Sequence, residues 1–86
     1  MWYVYFLKLK NDDIYVGSTN DLRRRVDSHE RGTVSSTRQY LPLSLQSYVA
    51  VADEKTARAL ELYFKSGSGK AFAKKRFLTH RGAADA

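Results

Sequence analysis

The 86-residue chain contains no cysteine. Disulfides and thiolate metal sites are therefore excluded, and a reducing compartment, the cytoplasm, is the expected location. Proline occurs once, as Pro42, in a Gly-, Thr- and Ser-containing stretch that reads as loop. No apolar run approaches the roughly 20 residues that span a bilayer. The apolar start, Met1 to Leu7, lacks both a basic leader and a small-residue cleavage site, and it reads as a strand. Acidic residues are scarce: 9 Asp and Glu stand against 15 Lys and Arg, for a net charge of +6 and a pI near 9.8. That balance points to an anionic partner, nucleic acid or a lipid surface, although many proteins that bind neither share it.

What is present suffices for one small domain. Hydrophobic residues make up 43% of the chain and aromatics 13%, enough for a single core of modest stability. No repeat and no interdomain linker interrupts it. Residues 2–9 (WYVYFLKL) have strand composition, Lys10 to Asp13 is a polar break, and Ile14 to Gly17 resumes strand character, predicting a β-hairpin. Ser18, Thr19, Asn20 and Asp21 are candidate N-caps for a helix to about Glu30, with Leu22, Val26 and His29 on its inner face. After the 32–44 loop, Leu45 to Ala52 reads as a third strand. Asp53 caps a second helix, Glu54 to Lys65, with Ala57, Leu60 and Phe64 in its apolar stripe. Ser66 to Gly69 reads as a break, Lys70 to Leu78 as a short basic helix, and Thr79 to Ala86 as a frayed tail after a domain over residues 1–78. The expected class is α+β, in the order ββαβαα.

Two charged residues sit where a helix should turn inward. Arg25 is one turn after Asp21 and one before His29, beside Leu22 and Val26, so it is predicted to be half-buried, unlike Arg23 and Arg24. A desolvated guanidinium needs an anion, and its planar fork suits a phosphate. The alternative is a carboxylate within the fold, Glu61 or Asp21, and taken alone that is the commoner outcome. Glu61 lies in the run Ala59-Leu60-Glu61-Leu62-Tyr63-Phe64. A carboxylate hemmed in by apolar neighbours stays protonated, pairs with a cation, or binds a metal. With one carboxylate and mostly water ligands the metal would be magnesium or manganese. An ion pair with Lys65, Lys55 or Arg58 is the simpler reading. Tyr3, Tyr5 and Tyr15 by default are strand packing residues.

Taken in order, Tyr3-Val4-Tyr5, Tyr15-Val16-Gly17, the run Ser18 to Arg25, and His29 resemble the GIY-YIG endonuclease superfamily. That superfamily includes the nicking nuclease of bacterial excision repair, phage homing endonucleases and short stand-alone bacterial proteins. The chain looks most like the last group, through its length and its Lys65 to Phe72 stretch, and the likeness covers residues 2–76. It implies a three-stranded antiparallel sheet flanked by helices, with the site on one sheet face. It also implies Tyr5 and Tyr15 as the two motif tyrosines, Arg25 as the family arginine, and Glu61 as the ligand of Mg2+ or Mn2+. His29 falls where some homing enzymes carry a histidine; an ordinary surface histidine is the equal alternative. Tyr3 replaces the first motif's glycine, Val4 and Val16 replace isoleucines, and Ser18 stands where excision-repair members carry a lysine. Without that lysine, proton transfer dispenses with it or uses His29.

The resemblance implies metal-dependent hydrolysis of DNA phosphodiesters. Tyr15 takes the proton of the attacking water with Tyr5 positioning it, Arg25 stabilises the phosphate, and the metal on Glu61 neutralises the leaving 3′ oxygen. A tyrosine with a pKa near 10 is a weak base, so positive charge must assist. The hairpin sets a geometric condition. A two-residue loop, Asn11-Asp12, puts Tyr5 and Tyr15 on opposite faces, and a three-residue loop, Asn11 to Asp13, puts them on one face. Arg23, Arg24, Arg38, Lys70, Lys74, Lys75 and Arg76 are expected to face phosphates, with a solvated basic surface as the alternative for each. No base-reading element is evident, so a structure-selective or weakly specific cutter of branched, flapped or nicked DNA is expected, unless a protein partner guides it. The competing readings are a non-catalytic nucleic-acid-binding module on the same fold and a protein-interaction domain with incidental charge.

Overall fold

The computed structural model describes residues 1–78, so the tail expected over 79–86 lies outside the described residues. The strands are β1 (Trp2–Lys8), β2 (Ile14–Thr19) and β3 (Ser44–Val51), and the helices are α1 (Leu22–Glu30), α2 (Glu54–Lys65) and α3 (Gly67–Arg76). The order is ββαβαα, and the sheet is antiparallel with strand order β2-β1-β3. The class is α+β, as expected.

Strand β1 is central because its middle is apolar on both sides: Val4, Tyr5, Phe6 and Leu7 are each at most 1% exposed. Alternation then divides the core in two. Val4 and Phe6 pack with Val16, Ala57, Phe64 and Ala73 under α2 and α3. The rings of Phe6, Phe64 and Phe77 meet edge to face there, 5.1 to 5.8 Å apart. Tyr5 and Leu7 pack on the other face with Leu9 and Leu43, beneath Leu22 and Val26 of α1.

The hairpin follows neither of the two loops expected from sequence. Tyr5 pairs with Gly17 and Leu7 with Tyr15, and the turn is Lys10 to Asp12, closed by Leu9 N–H donating to the Asp13 carbonyl (2.9 Å). Asp12 takes the left-handed conformation, φ 71°, that a three-residue hairpin turn requires at this position. Because Leu7 and Tyr15 are direct partners, Tyr5 and Tyr15 share a face.

Other boundaries moved for local reasons. Strand β2 extends through Ser18 and Thr19, leaving Asp21 as the α1 N-cap, where its side chain accepts from Arg24 N–H. The 32–44 loop contains a 3-10 turn, Arg38–Tyr40. Helix α3 begins at Gly67 rather than Lys70, because Ser66 caps it by accepting from Gly69 N–H at 3.1 Å. Its regular part ends at Arg76, and Phe77 and Leu78 continue into the core without helical form.

Candidate active site

The α1 side of the site is a chain of polar contacts within an apolar cluster. His29, on the last turn of α1, is fully buried (0% exposed). Its Nε2 lies 2.9 Å from the Tyr5 hydroxyl and its Nδ1 lies 2.8 Å from Thr37 Oγ1. Thr37 is also fully buried. The Tyr15 ring flanks the imidazole, its centroid 5.1 Å away. At the outer end, Arg25 Nε donates to the Tyr5 hydroxyl at 3.4 Å. Burial, with the charge of Arg25, lowers the His29 pKa to about 4, so the ring is neutral at pH 7. Burial also raises the Tyr5 pKa against the opposing hydrogen bond from Arg25, so its phenol stays protonated.

Gly17 makes this packing feasible. A Cβ there would lie 2.5 Å from Tyr5 Cζ, so the tyrosine ring occupies the space that any side chain would need. The glycine of the second motif is thus a packing surface for the tyrosine of the first.

Glu61 approaches from the other side of the sheet. Helix α2 packs on the Val4 and Phe6 face, and Ser18, which pairs with Val4, points the same way. The Ser18 hydroxyl donates to Glu61 Oε1 at 2.5 Å, and Lys65 Nζ lies 2.8 Å from Oε2. The Glu61 side chain is 19% exposed, the half-buried state its apolar neighbours predict. Burial by itself would raise its pKa; the hydrogen bonds from Lys65 and Ser18 and the nearby charges of Lys65 and Arg58 outweigh that and keep the carboxylate ionised.

The two halves meet around the edge strand β2, in one depression lined by Tyr5, Tyr15, Gly17, Ser18, Arg25 and Glu61, with Trp2, Thr19, Asn20 and Arg58 at its rim. Its volume is about 390 Å³. At roughly 30 Å³ per water, that admits a phosphate group with several waters. The site therefore wraps a strand edge rather than lying on one sheet face.

Sequence expectations fare differently residue by residue. Tyr5, Tyr15, Arg25 and Glu61 line the depression, and His29 lies directly behind Tyr5 rather than on the surface. Arg25 is exposed, not half-buried, because it faces the open depression. Among the described residues it has no carboxylate partner: Asp21 caps α1, and Glu61 pairs with Lys65. Arg23, Arg24 and Arg38 are exposed on α1 and the 3-10 turn. Lys70 and Lys74 line a different depression, beside Asp12, Asp13 and Ile14, while Lys75 is exposed and Arg76 sits over the Phe72 ring at 5.5 Å. Thr37 and Arg58 escaped the sequence reading as site residues. Arg58 bonds to Glu54 at 3.0 Å and lies 5.7 Å from the Trp2 ring centre, and its spacing three residues before Glu61 was the one clue to it. Nothing in the aperiodic 32–44 stretch marked Thr37.

Residues 1–78 match the GIY-YIG catalytic domain family, and the chain belongs to it. The family is one of nuclease domains, with DNA as the substrate at that level. Among individual proteins, the chain is similar to a UPF0213 protein of Clostridium perfringens, 35% identical over 66 residues that cover 76% of this chain and 71% of that one. It is 38% identical to a UPF0213 protein of Xanthomonas campestris, over 74% of this chain and 64% of the relative. A UPF0213 protein of Orgyia pseudotsugata multicapsid polyhedrosis virus is 33% identical over 99% of this chain and 89% of its own. Among solved structures, the solution NMR structure of a UPF0213 protein from Bacillus halodurans superposes with a TM-score of 0.59 at 27% identity, covering 96% of this chain and 94% of that one.

Proposed function

We propose that this chain is a divalent-metal-dependent endonuclease that hydrolyses DNA phosphodiesters through the depression at the β2 edge, with weak sequence specificity or selectivity for DNA structure. One observation carries the reading: an exposed arginine with no carboxylate partner among the described residues and an ionised, half-buried glutamate share one cleft with Tyr15 and with Tyr5, which His29 backs.

The donor set fits a hard cation. Glu61 is an anionic oxygen ligand at the cleft, and among the described residues no cluster of three or more His, Asp or Glu forms that would build an all-protein cage. Magnesium and manganese accept a single carboxylate completed by water and phosphate oxygens. Glu61 would hold the ion, which when bound supplies the charge that neutralises the leaving 3′ oxygen. Ser18 and Lys65 fix the carboxylate. Arg25 meets the phosphate oxygens as negative charge builds on them. Tyr15, which lines the cleft, is the group that takes the water's proton, with the positive charge of Arg25 assisting, and Tyr5, held between Arg25 and His29, positions it.

The test is a nicking assay on supercoiled, branched and flapped DNA with magnesium or manganese, beside Arg25→Ala and Glu61→Gln. The wild type cuts, and each variant loses roughly 100-fold or more in rate. A wild type that binds DNA but cuts nothing returns the fold to a pure binding module. Variants that cut as well as the wild type remove these residues from catalysis.

A further inference from the structure

The depression accounts for the phosphate but not for an aromatic pair that adjoins it. Tyr48 of β3 is directly opposite Tyr5, and Tyr3 is directly opposite Thr19, so both tyrosines share the sheet face of Tyr5. Helix α1 and the loop before β3 cover Tyr5, Leu7 and Tyr15 but leave Tyr48 51% exposed and the neighbouring Ala50 exposed as well. The Tyr3 and Tyr48 rings meet edge to face, with centroids 6.0 Å apart. Tyr48 is thus one strand spacing, about 4.8 Å, across the sheet from Tyr5, and Thr19, the partner of Tyr3, forms part of the depression rim.

We propose that Tyr48, braced by Tyr3, is a stacking platform for an unpaired nucleobase next to the cleaved phosphate, which makes the preferred substrate a DNA strand with at least one unpaired nucleotide there. This inference rests on the nuclease reading of the adjoining depression. A base inside a duplex has both faces covered by its neighbours and offers only its edges. A ring lying open on a sheet can take only a base that has left the stack. Between the platform and the phosphate-sized cleft stands Tyr5, which lines the cleft and pairs with Tyr48, and Arg25 supplies the charge to hold the backbone of the same nucleotide. Stacking has little sequence preference, since every base has a π-face.

The test uses the full chain with EDTA to stop hydrolysis. Anisotropy titrations compare a single-stranded dT oligonucleotide with a blunt duplex of the same length, for wild type, Tyr48→Ala and Tyr48→Phe. Tyr48→Ala loses roughly 5- to 100-fold in affinity for the single strand. It leaves duplex affinity and the salt dependence of binding unchanged, and Tyr48→Phe binds like the wild type. Equal losses on both DNAs, or no loss on the single strand, overturn the proposal. Failure of the nuclease reading is separate: a wild type that cuts nothing with magnesium or manganese, while Tyr48→Ala still loses the single strand selectively, removes the hydrolysis and leaves the platform.

Discussion

His29 is a titratable side chain buried completely away from water. It is neutral because burial and Arg25 hold its pKa at about 4 against an ordinary 6.5. A neutral imidazole has one donor and one acceptor nitrogen, and Tyr5 and Thr37 occupy both positions. The linkage to stability has a definite sign. Between pH 6.5 and 4 the unfolded chain binds a proton at His29 that the native state refuses, so stability is complete above 6.5 and falls as the pH drops to 4. Urea titrations across that window should show the wild type losing up to about 1.4 kcal/mol per pH unit, with a flatter slope for His29→Gln. Equal slopes would mean that His29 is protonated in the folded protein. At this scale Glu61 was legible, because an apolar stripe interrupted by one carboxylate states its burial directly. Arg25 was half legible: its helix face was right, but that face opens onto the cleft and not onto the sheet.

Helix α3 shows how an element can be hidden by its own composition. Ser66 to Gly69 has the residues of a loop, yet Ser66 is a cap and both glycines are helical. The two glycines differ in what surrounds them. A Cβ on Gly67 meets nothing within 4 Å, while one on Gly69 would lie 2.8 Å from Phe64 Cα in α2. Gly67→Ala should therefore stabilise the domain by about 0.5–1 kcal/mol through lost unfolded-state entropy. Gly69→Ala should destabilise it by about 1–3 kcal/mol by forcing α3 off α2. Thermal melts of the two variants, read against wild type, check the pair; shifts of the same sign would contradict this packing. Helices α1 and α2 were legible because their caps, Asp21 and Asp53, and their apolar spacing agree.

Across the whole molecule, the excess positive charge is not uniform in use. Arg23, Arg24 and Arg25 are exposed along α1 and have no ion-pair partner among the described residues. Lys70 and Lys74 line a depression that also holds Asp12 and Asp13, away from the cleft residues Arg25 and Glu61. Duplex binding should weaken with salt, and each α1 arginine that meets a phosphate should contribute about 0.9 to the slope of log K against log salt. Arg24→Ala should lower the slope by about that amount, while Lys74→Ala should leave it unchanged. A slope that falls only for the lysine variant would place the DNA on α3 instead.

Sequence alone determined the order of elements and the half-burial of Glu61, because each is written in local periodicity or in a charge set within an apolar run, whereas Tyr5 and Tyr15 stood out only through the family resemblance. Tertiary structure decided three things. Hairpin register put Tyr5 and Tyr15 on one face, a choice that a one-residue change in turn length reverses. The wrap of α1 and α2 around the β2 edge brought Arg25 and Glu61 into one cleft from opposite sides of the sheet. The 32–44 loop delivered Thr37 to His29, eight residues away in the chain. Each of these depends on how separate segments dock, and no local pattern of the chain records it.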